Sequence, residues 1–218
     1  MNYANGEPYE SYRKINTKTA YRFGKADQVL EFTDSDIPQS YRDEHKDIFA
    51  YKRGAGLWLW KPYLIHKALM QIKDGDWLMY LDSGTTVIND IHKLIEFTKA
   101  QGQEIFLMAQ PLLCRQFTKR ECYELMGVKE GGENQVLGLL LLLRTEKTVK
   151  FVEEWLHACE NEELLSPNRF HPEIEEFPDF HAHREDQSIL TLLRIKHNLP
   201  VFRDCSDYGK FPFQYKGI

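Results

Sequence analysis

Chemistry-bearing residue types concentrate in a few stretches of this chain. Gly75-Asp-Trp-Leu-Met-Tyr-Leu-Asp-Ser-Gly84 reads as a turn feeding an apolar strand that ends in Asp82, with the small residues Ser83 and Gly84 behind it. In open α/β sheets, ligands bind beyond the carboxyl ends of the strands, which is where this spacing puts Asp82. A carboxylate there can hold Mg²⁺ or Mn²⁺, hard cations that keep positions open for phosphate oxygens. Such a cation neutralises charge building on a departing diphosphate. The same residues also read as a strand-ending turn whose Asp accepts backbone N–H bonds.

Upstream, Arg53 and Lys61 flank a Gly- and Trp-rich turn that runs into a helix beginning near Pro62. A helix N-terminus with cations beside it suits an anion. Trp58 and Trp60 in that turn read by themselves as core anchors. Downstream, Glu185 and Asp186 open a helix whose apolar face includes Ile189, Leu190, Leu192 and Leu193. Acidic residues in a first turn are stabilised by the helix dipole, by about 0.3–1 kcal/mol. The sharper reading is a carboxylate held in a cleft to take a proton from a hydroxyl. Gly138, after Gln135 at the mouth of an apolar run, permits close ligand approach or marks a bulge.

These residues need elements to position them. The chain alternates short apolar runs with longer amphipathic ones, the pattern of βαβ units. Strands are expected at 28–32, 77–82, 105–109, 136–143 and 201–203. Helices are expected at 9–23, 42–51, 62–72, 91–100, 119–126, 147–161 and 186–197. Pro62 suits a first helical turn, where its missing N–H costs nothing. Leu64, Ile65, Ala68, Leu69 and Ile72 then repeat on one face, so this helix should pack on the sheet. Val136–Leu143 lacks alternation and is expected as a central strand buried on both faces. Segments 127–135 and 163–185 read as loops, and long loops in compact domains are often functional. Met1 to Asn5 leave room for only a stub of an opening strand.

With 218 residues, 42% of them hydrophobic and 13% aromatic, the chain suits one α/β domain over 1–218 with a substantial core. A formal charge of -5 argues against a nucleic-acid partner. The opening residues lack the apolar core of a signal peptide, and no run approaches the roughly 20 residues that span a bilayer. Cys114, Cys122, Cys159 and Cys205 show no paired spacing and read as reduced thiols of a cytoplasmic protein.

A family resemblance joins these stretches. Tyr80-Leu-Asp-Ser-Gly84 is similar to the D-x-D region of GT-A glycosyltransferases, in a variant whose last position is not acidic. With it come Tyr3-Ala-Asn-Gly6, Arg53-Gly-Ala-Gly-Leu-Trp-Leu-Trp-Lys-Pro62, Gln135-Val-Leu-Gly138 and His183-Arg-Glu-Asp-Gln-Ser188. This pattern covers nearly the whole chain. It resembles bacterial capsule or lipopolysaccharide sugar transferases and a chlorella-virus glycosyltransferase domain.

The resemblance implies a GT-A, Rossmann-like domain with a central, mostly parallel mixed sheet flanked by helices. It implies transfer of a hexosyl or deoxyhexosyl group from a nucleotide-sugar, UDP-linked by default, to a glycan acceptor in polysaccharide biosynthesis. The cofactor would be Mn²⁺ or Mg²⁺. Tyr3, Asn5, Arg53, Trp60, Lys61, Asp82, Ser83, Gln135 and Gly138 are the implied donor-binding residues. Inverting relatives carry an acidic base at the start of a helix here; the match centres on Asp-Gln-Ser, which puts Asp186 ahead of Glu185. Retaining relatives also show an Asp-Gln pair in this region.

Gly84 cannot ligate a metal through a side chain. Either a second residue completes the site, with His183 the candidate because a neutral imidazole suits Mn²⁺, or diphosphate and water supply the other ligands. His183 also reads as a surface or capping histidine. Two other functions remain in view: a non-catalytic nucleotide-sugar or carbohydrate binder, and a haloacid-dehalogenase-like phosphatase suggested by Leu81-Asp-Ser-Gly-Thr-Thr-Val87. The phosphatase chemistry wants a second acid where Gly84 stands. The chain could also serve as one domain of a larger polypeptide.

Overall fold

Strand residues alternate between two buried faces, and that alternation organises the protein. A computed structural model describes residues 1–206; residues 207–218 of the expected domain lie outside the described ones. In chain order, β1 (Asn2–Tyr3), α1 (Tyr9–Arg22) and β2 (Glu31–Phe32) are followed by α2 (Gln39–Glu44) and α3 (Lys46–Phe49). Then come a short segment α4 (Gly54–Leu57), α5 (Trp60–Gln71), β3 (Trp77–Tyr80), α6 (His92–Ala100) and β4 (Ile105–Leu113). The described part closes with α7 (Arg120–Met126), β5 (Asn134–Leu143), α8 (Glu146–Cys159), α9 (Glu162–Leu165), α10 (Glu185–Lys196) and β6 (Phe202–Arg203).

Among the described residues the main sheet has four strands in the order β3-β5-β4-β6, and β1 pairs with β2 in a second, two-stranded sheet. Leu81 N donates to Met1 O at 3.2 Å, which lays β1 alongside the end of β3. The chain is thus a mixed sheet flanked by helices. Its central pairings differ from expectation: β5 runs antiparallel to both β3 and β4. Among the described residues, parallel pairing is confined to β4 with β6 and β1 with β2, so the expectation of mostly parallel strands is corrected. A run buried on both faces reports a central position but not the direction of its neighbours.

Leu78, Tyr80, Ile105, Leu107, Leu140 and Leu142 point into the larger core. There they meet Leu64, Ile65 and Leu69 of α5, Phe151, Val152 and Trp155 of α8, and Ile189, Leu190 and Leu193 of α10. Phe106, Met108 and Leu141 point the other way, against Ile95 of α6. This two-sided burial is why Val136–Leu143 shows no polar alternation. Removing one such leucine, as in Leu64→Ala, should cost about 2–5 kcal/mol.

Other boundaries shift. The helix expected at 42–51 is broken at His45 into α2 and α3, and the strand expected at 28–32 pairs only at Glu31–Phe32. The strand before Asp82 ends at Tyr80. The register of β5 against β4 slips between Leu107 and Ala109, opposite the stretch holding Gly138, so this glycine does mark a bulge. All four cysteines are free thiols. Among the described residues, no helix is long and apolar enough to cross a membrane.

Candidate active site

The site is built around a backbone feature that the sequence hid. Gly54, Ala55, Gly56, Leu57 and Trp58 all have positive φ, between 51° and 92°, so α4 is a left-handed turn. Each non-glycine residue there costs roughly 1–2 kcal/mol. Glycine is required at both of its positions: a Cβ on Gly54 would meet Trp58 Cε3 at 2.3 Å, and one on Gly56 would meet Phe49 Cδ1 at 2.7 Å. The turn is held by Gly56 N to Tyr51 O and Leu57 N to Arg53 O, both 2.9 Å. Complete burial of Leu57 and a bond from Trp60 Nε1 to Gly54 O at 2.9 Å hold it further. Trp60 is therefore an inward anchor, stacked on Tyr3 at 3.9 Å.

This turn delivers Lys61 to the sheet. Its buried ammonium stands 3.3 Å from Asp186 Oδ2 and 3.8 Å from Asp82 Oδ1. Burial alone would lower the pKa of Lys61, but Asp186 and Asp82 outweigh it and the pKa is raised. A Cβ on Gly138 would stand 3.2 Å from that ammonium, so the β5 bulge leaves the space Lys61 uses. Asp82 lies just beyond the carboxyl end of β3, its side chain 63% exposed. Tyr80 OH donates to its Oδ1 at 2.5 Å. Ser83 is buried beside it.

Asp186 is buried, and its backbone oxygen accepts from Trp155 Nε1 at 3.0 Å. Burial pushes its carboxyl up to about 6, against the pull of Lys61 and with help from Asp82. Its neighbour Glu185 turns elsewhere. Glu185 Oε1 accepts from Arg53 Nε at 2.6 Å, and its Oε2 lies 3.5 Å from Arg53 Nη2. Glu185 itself has a φ of 40°.

At the ends of β1 and β2, Tyr3 OH, Asn5 Nδ2 and Arg42 Nη2 converge on Asp34 Oδ1 at 3.3, 3.4 and 2.6 Å. Burial first, then Asp34, raises Tyr3 to about 12. Asp34 and Tyr80 escaped the sequence reading. The signal for Asp34 was an acid just past a short strand, and Tyr80 looked like one more core aromatic.

Two expected site residues lie buried among other partners. Gln135 is fully buried. Its Nε2 donates to Thr118 Oγ1 at 2.7 Å and Phe117 O at 3.2 Å, and its Oε1 accepts from Thr191 at 3.0 Å. Both ends of its amide thus serve to tie β5, α10 and the 114–118 turn together. His183 is buried with Lys119, whose backbone N–H donates to its Nδ1 at 3.4 Å. Burial, then Lys119, drives its pKa down to about 3. Its partners are not those of Asp82, so the structure does not bring this pair together. Among the described residues, no group of three or more His, Cys, Asp or Glu is arranged to hold a metal ion.

Asp82 alone is still a fitting single ligand, because Mg²⁺ is commonly held by one or two carboxylates plus substrate phosphates and water. The charges agree. Asp82 and Asp186 share one ammonium, which leaves the cluster one positive charge short before any phosphate arrives.

No family model matches the chain, and no curated protein matches it in sequence. Among solved structures, apo mouse xyloside xylosyltransferase 1 is similar at 12% identity, over 93% of this chain and 83% of that chain, with a TM-score of 0.47.

Proposed function

We propose that this chain is a glycosyltransferase that moves a hexosyl or deoxyhexosyl group from a nucleotide-sugar, UDP-linked by default, to a hydroxyl of a glycan acceptor in polysaccharide biosynthesis. The observation that carries this reading is the cluster of Lys61, Asp82 and Asp186 at the carboxyl end of β3. Arg53 joins it through the residue next to Asp186. Ligands of open α/β sheets bind at such strand ends. Cations there suit the diphosphate of the donor, and the polar group around Asp34 suits its nucleoside.

A divalent cation, Mn²⁺ or Mg²⁺, would be held by Asp82 and would offset charge on the diphosphate leaving group. The protein's own groups do the rest. Arg53 and Lys61 take diphosphate oxygens. Lys61 stays beside Asp186 and keeps it ionised, so that Asp186 accepts the proton of the attacking hydroxyl. A carboxyl held near 6 is ionised at neutral pH yet more basic than an ordinary aspartate, which suits a general base. Direct attack of this kind gives inversion at the anomeric carbon.

Thermal shifts with UDP-, GDP- and dTDP-sugars, each with Mn²⁺ or with EDTA, test the reading, because selective binding to the native state raises stability. At least one nucleotide-sugar should stabilise the protein, and hydrolysis of that donor should then be measurable. Binding without any donor hydrolysis or transfer would leave a nucleotide-sugar binder in place of an enzyme.

A further inference from the structure

Glu185 and Asp186 are adjacent in sequence, yet each grips a different cation. Asp186 faces Lys61, and Glu185 faces Arg53. The Glu185 side chain is 4% exposed, whereas that of Arg53 is 62% exposed. We propose that Glu185 is a positioning residue that presets the guanidinium of Arg53 as a receptor for the donor diphosphate and takes no part in proton transfer. The proposal rests on the donor reading given above.

The geometry supports this division of labour. Both carboxylate oxygens of Glu185 face the Arg53 side chain, at 2.6 and 3.5 Å, so its carboxylate is engaged by the guanidinium. A guanidinium has five N–H donors, and the two contacts with Glu185 leave the others on an exposed group. Those can make forked, charge-assisted bonds to phosphate oxygens. The guanidinium carbon of Arg53 also lies 5.4 Å from the centre of the Trp58 ring, a second contact on the same group. The backbone is strained on both sides of the pair: the left-handed turn begins directly after Arg53, and Glu185 has positive φ. Strain of this kind persists where surrounding structure over-determines it, and it clusters at functional sites.

The Glu185 charge opposes an anionic ligand, so two substitutions are needed to separate charge from positioning. Glu185→Gln removes the charge and keeps an acceptor for Arg53, whereas Glu185→Ala removes both. Calorimetry with UDP, GDP and dTDP in Mn²⁺ selects the tightest diphosphate, and its nucleoside serves as the control. The Ala variant should bind that diphosphate about 2–12-fold more weakly than the Gln variant, the cost of ordering one long side chain. Both should bind the nucleoside alike. In an Arg53→Ala background the Ala-to-Gln ratio should fall to one, as coupling through Arg53 requires. If Glu185→Ala does not fold, Glu185→Gly replaces it, because glycine accepts the positive φ at this position.

A ratio near one with Arg53 present would overturn the proposal, as would a ratio that persists without Arg53. Transfer slowed by about 10²-fold or more in Glu185→Gln at unchanged donor affinity would make Glu185 the base instead. In all three cases the donor reading stands. Failure of every nucleoside diphosphate to bind the unaltered protein would remove both together.

Discussion

The ammonium of Lys61 lies 3.3 Å from the carboxylate of Asp186 and is buried together with it. Breaking a buried pair by removing one partner leaves an uncompensated charge and is strongly destabilising, by about 3–5 kcal/mol. Lys61→Met is therefore a poor probe of this site, and informative substitutions lie at its exposed edge or keep the shape of a buried group.

Asp82→Ala should stay folded, because its side chain is largely exposed, and should lose the tightening of donor binding by Mn²⁺. Calorimetry of UDP with and without Mn²⁺ on both proteins reads this directly. Equal enhancement in the variant would take Asp82 out of the cation site. His183→Gln should leave the enhancement intact, since His183 lies among other partners.

Gly84 offers the converse experiment. A Cβ added there meets nothing within 4 Å, so Gly84→Asp has open space at its Cβ from which to add a second carboxylate. If the cation sits on Asp82, this substitution should tighten Mn²⁺ binding by roughly tenfold, the effect of 1.4 kcal/mol of added ligand energy. Paramagnetic relaxation of water protons titrated with Mn²⁺ would show it, and no change in affinity would count against a cation at this end of β3.

Arg53→Ala should weaken a nucleoside diphosphate by about tenfold or more while leaving the free nucleoside unchanged, because a charge-assisted bond is worth about 1.5–3 kcal/mol. Equal losses for UDP and uridine would mean that Arg53 supports the turn and does not read phosphate.

Asp186→Asn should hold donor affinity near wild type and slow transfer by about 10²–10⁴-fold. Transfer at more than about a tenth of the wild-type rate would end the base assignment.

Stability against pH gives an independent reading of Asp186. Its carboxyl is raised from 3.8 to about 6 in the folded chain. Between those values the native state keeps a proton that the unfolded chain has lost. Its contribution is therefore fully present below pH 3.8, declines as pH rises, and is gone above about 6. Asparagine does not titrate, so the stability of Asp186→Asn relative to wild type should rise from pH 4 to pH 7, by about 3 kcal/mol at most. Parallel stability curves in urea would contradict the raised pKa.

Much of this protein follows from the sequence itself. The eight-residue apolar run Val136–Leu143 had to be a central strand, because only burial on both faces tolerates it. The repeat of Leu64, Ile65, Ala68 and Leu69 had to put α5 against the core, and Asp82 had to fall at the end of a strand, which the structure stops two residues earlier at Tyr80. Periodicity and composition report whether a residue is buried. They do not report what a buried polar group meets, since that depends on packing between distant segments. Only the tertiary structure paired Lys61 with Asp186 and Arg53 with Glu185, spent Gln135 on a core network, and drew His183 away from Asp82. Strand direction was hidden for the same reason: a strand buried on both faces looks alike in sequence whether its neighbours run with it or against it. The left-handed turn at Gly54–Leu57 was hidden too, because glycines mark where the chain can take positive φ, while Leu57 burial and the Trp60 bond hold the residues between them there.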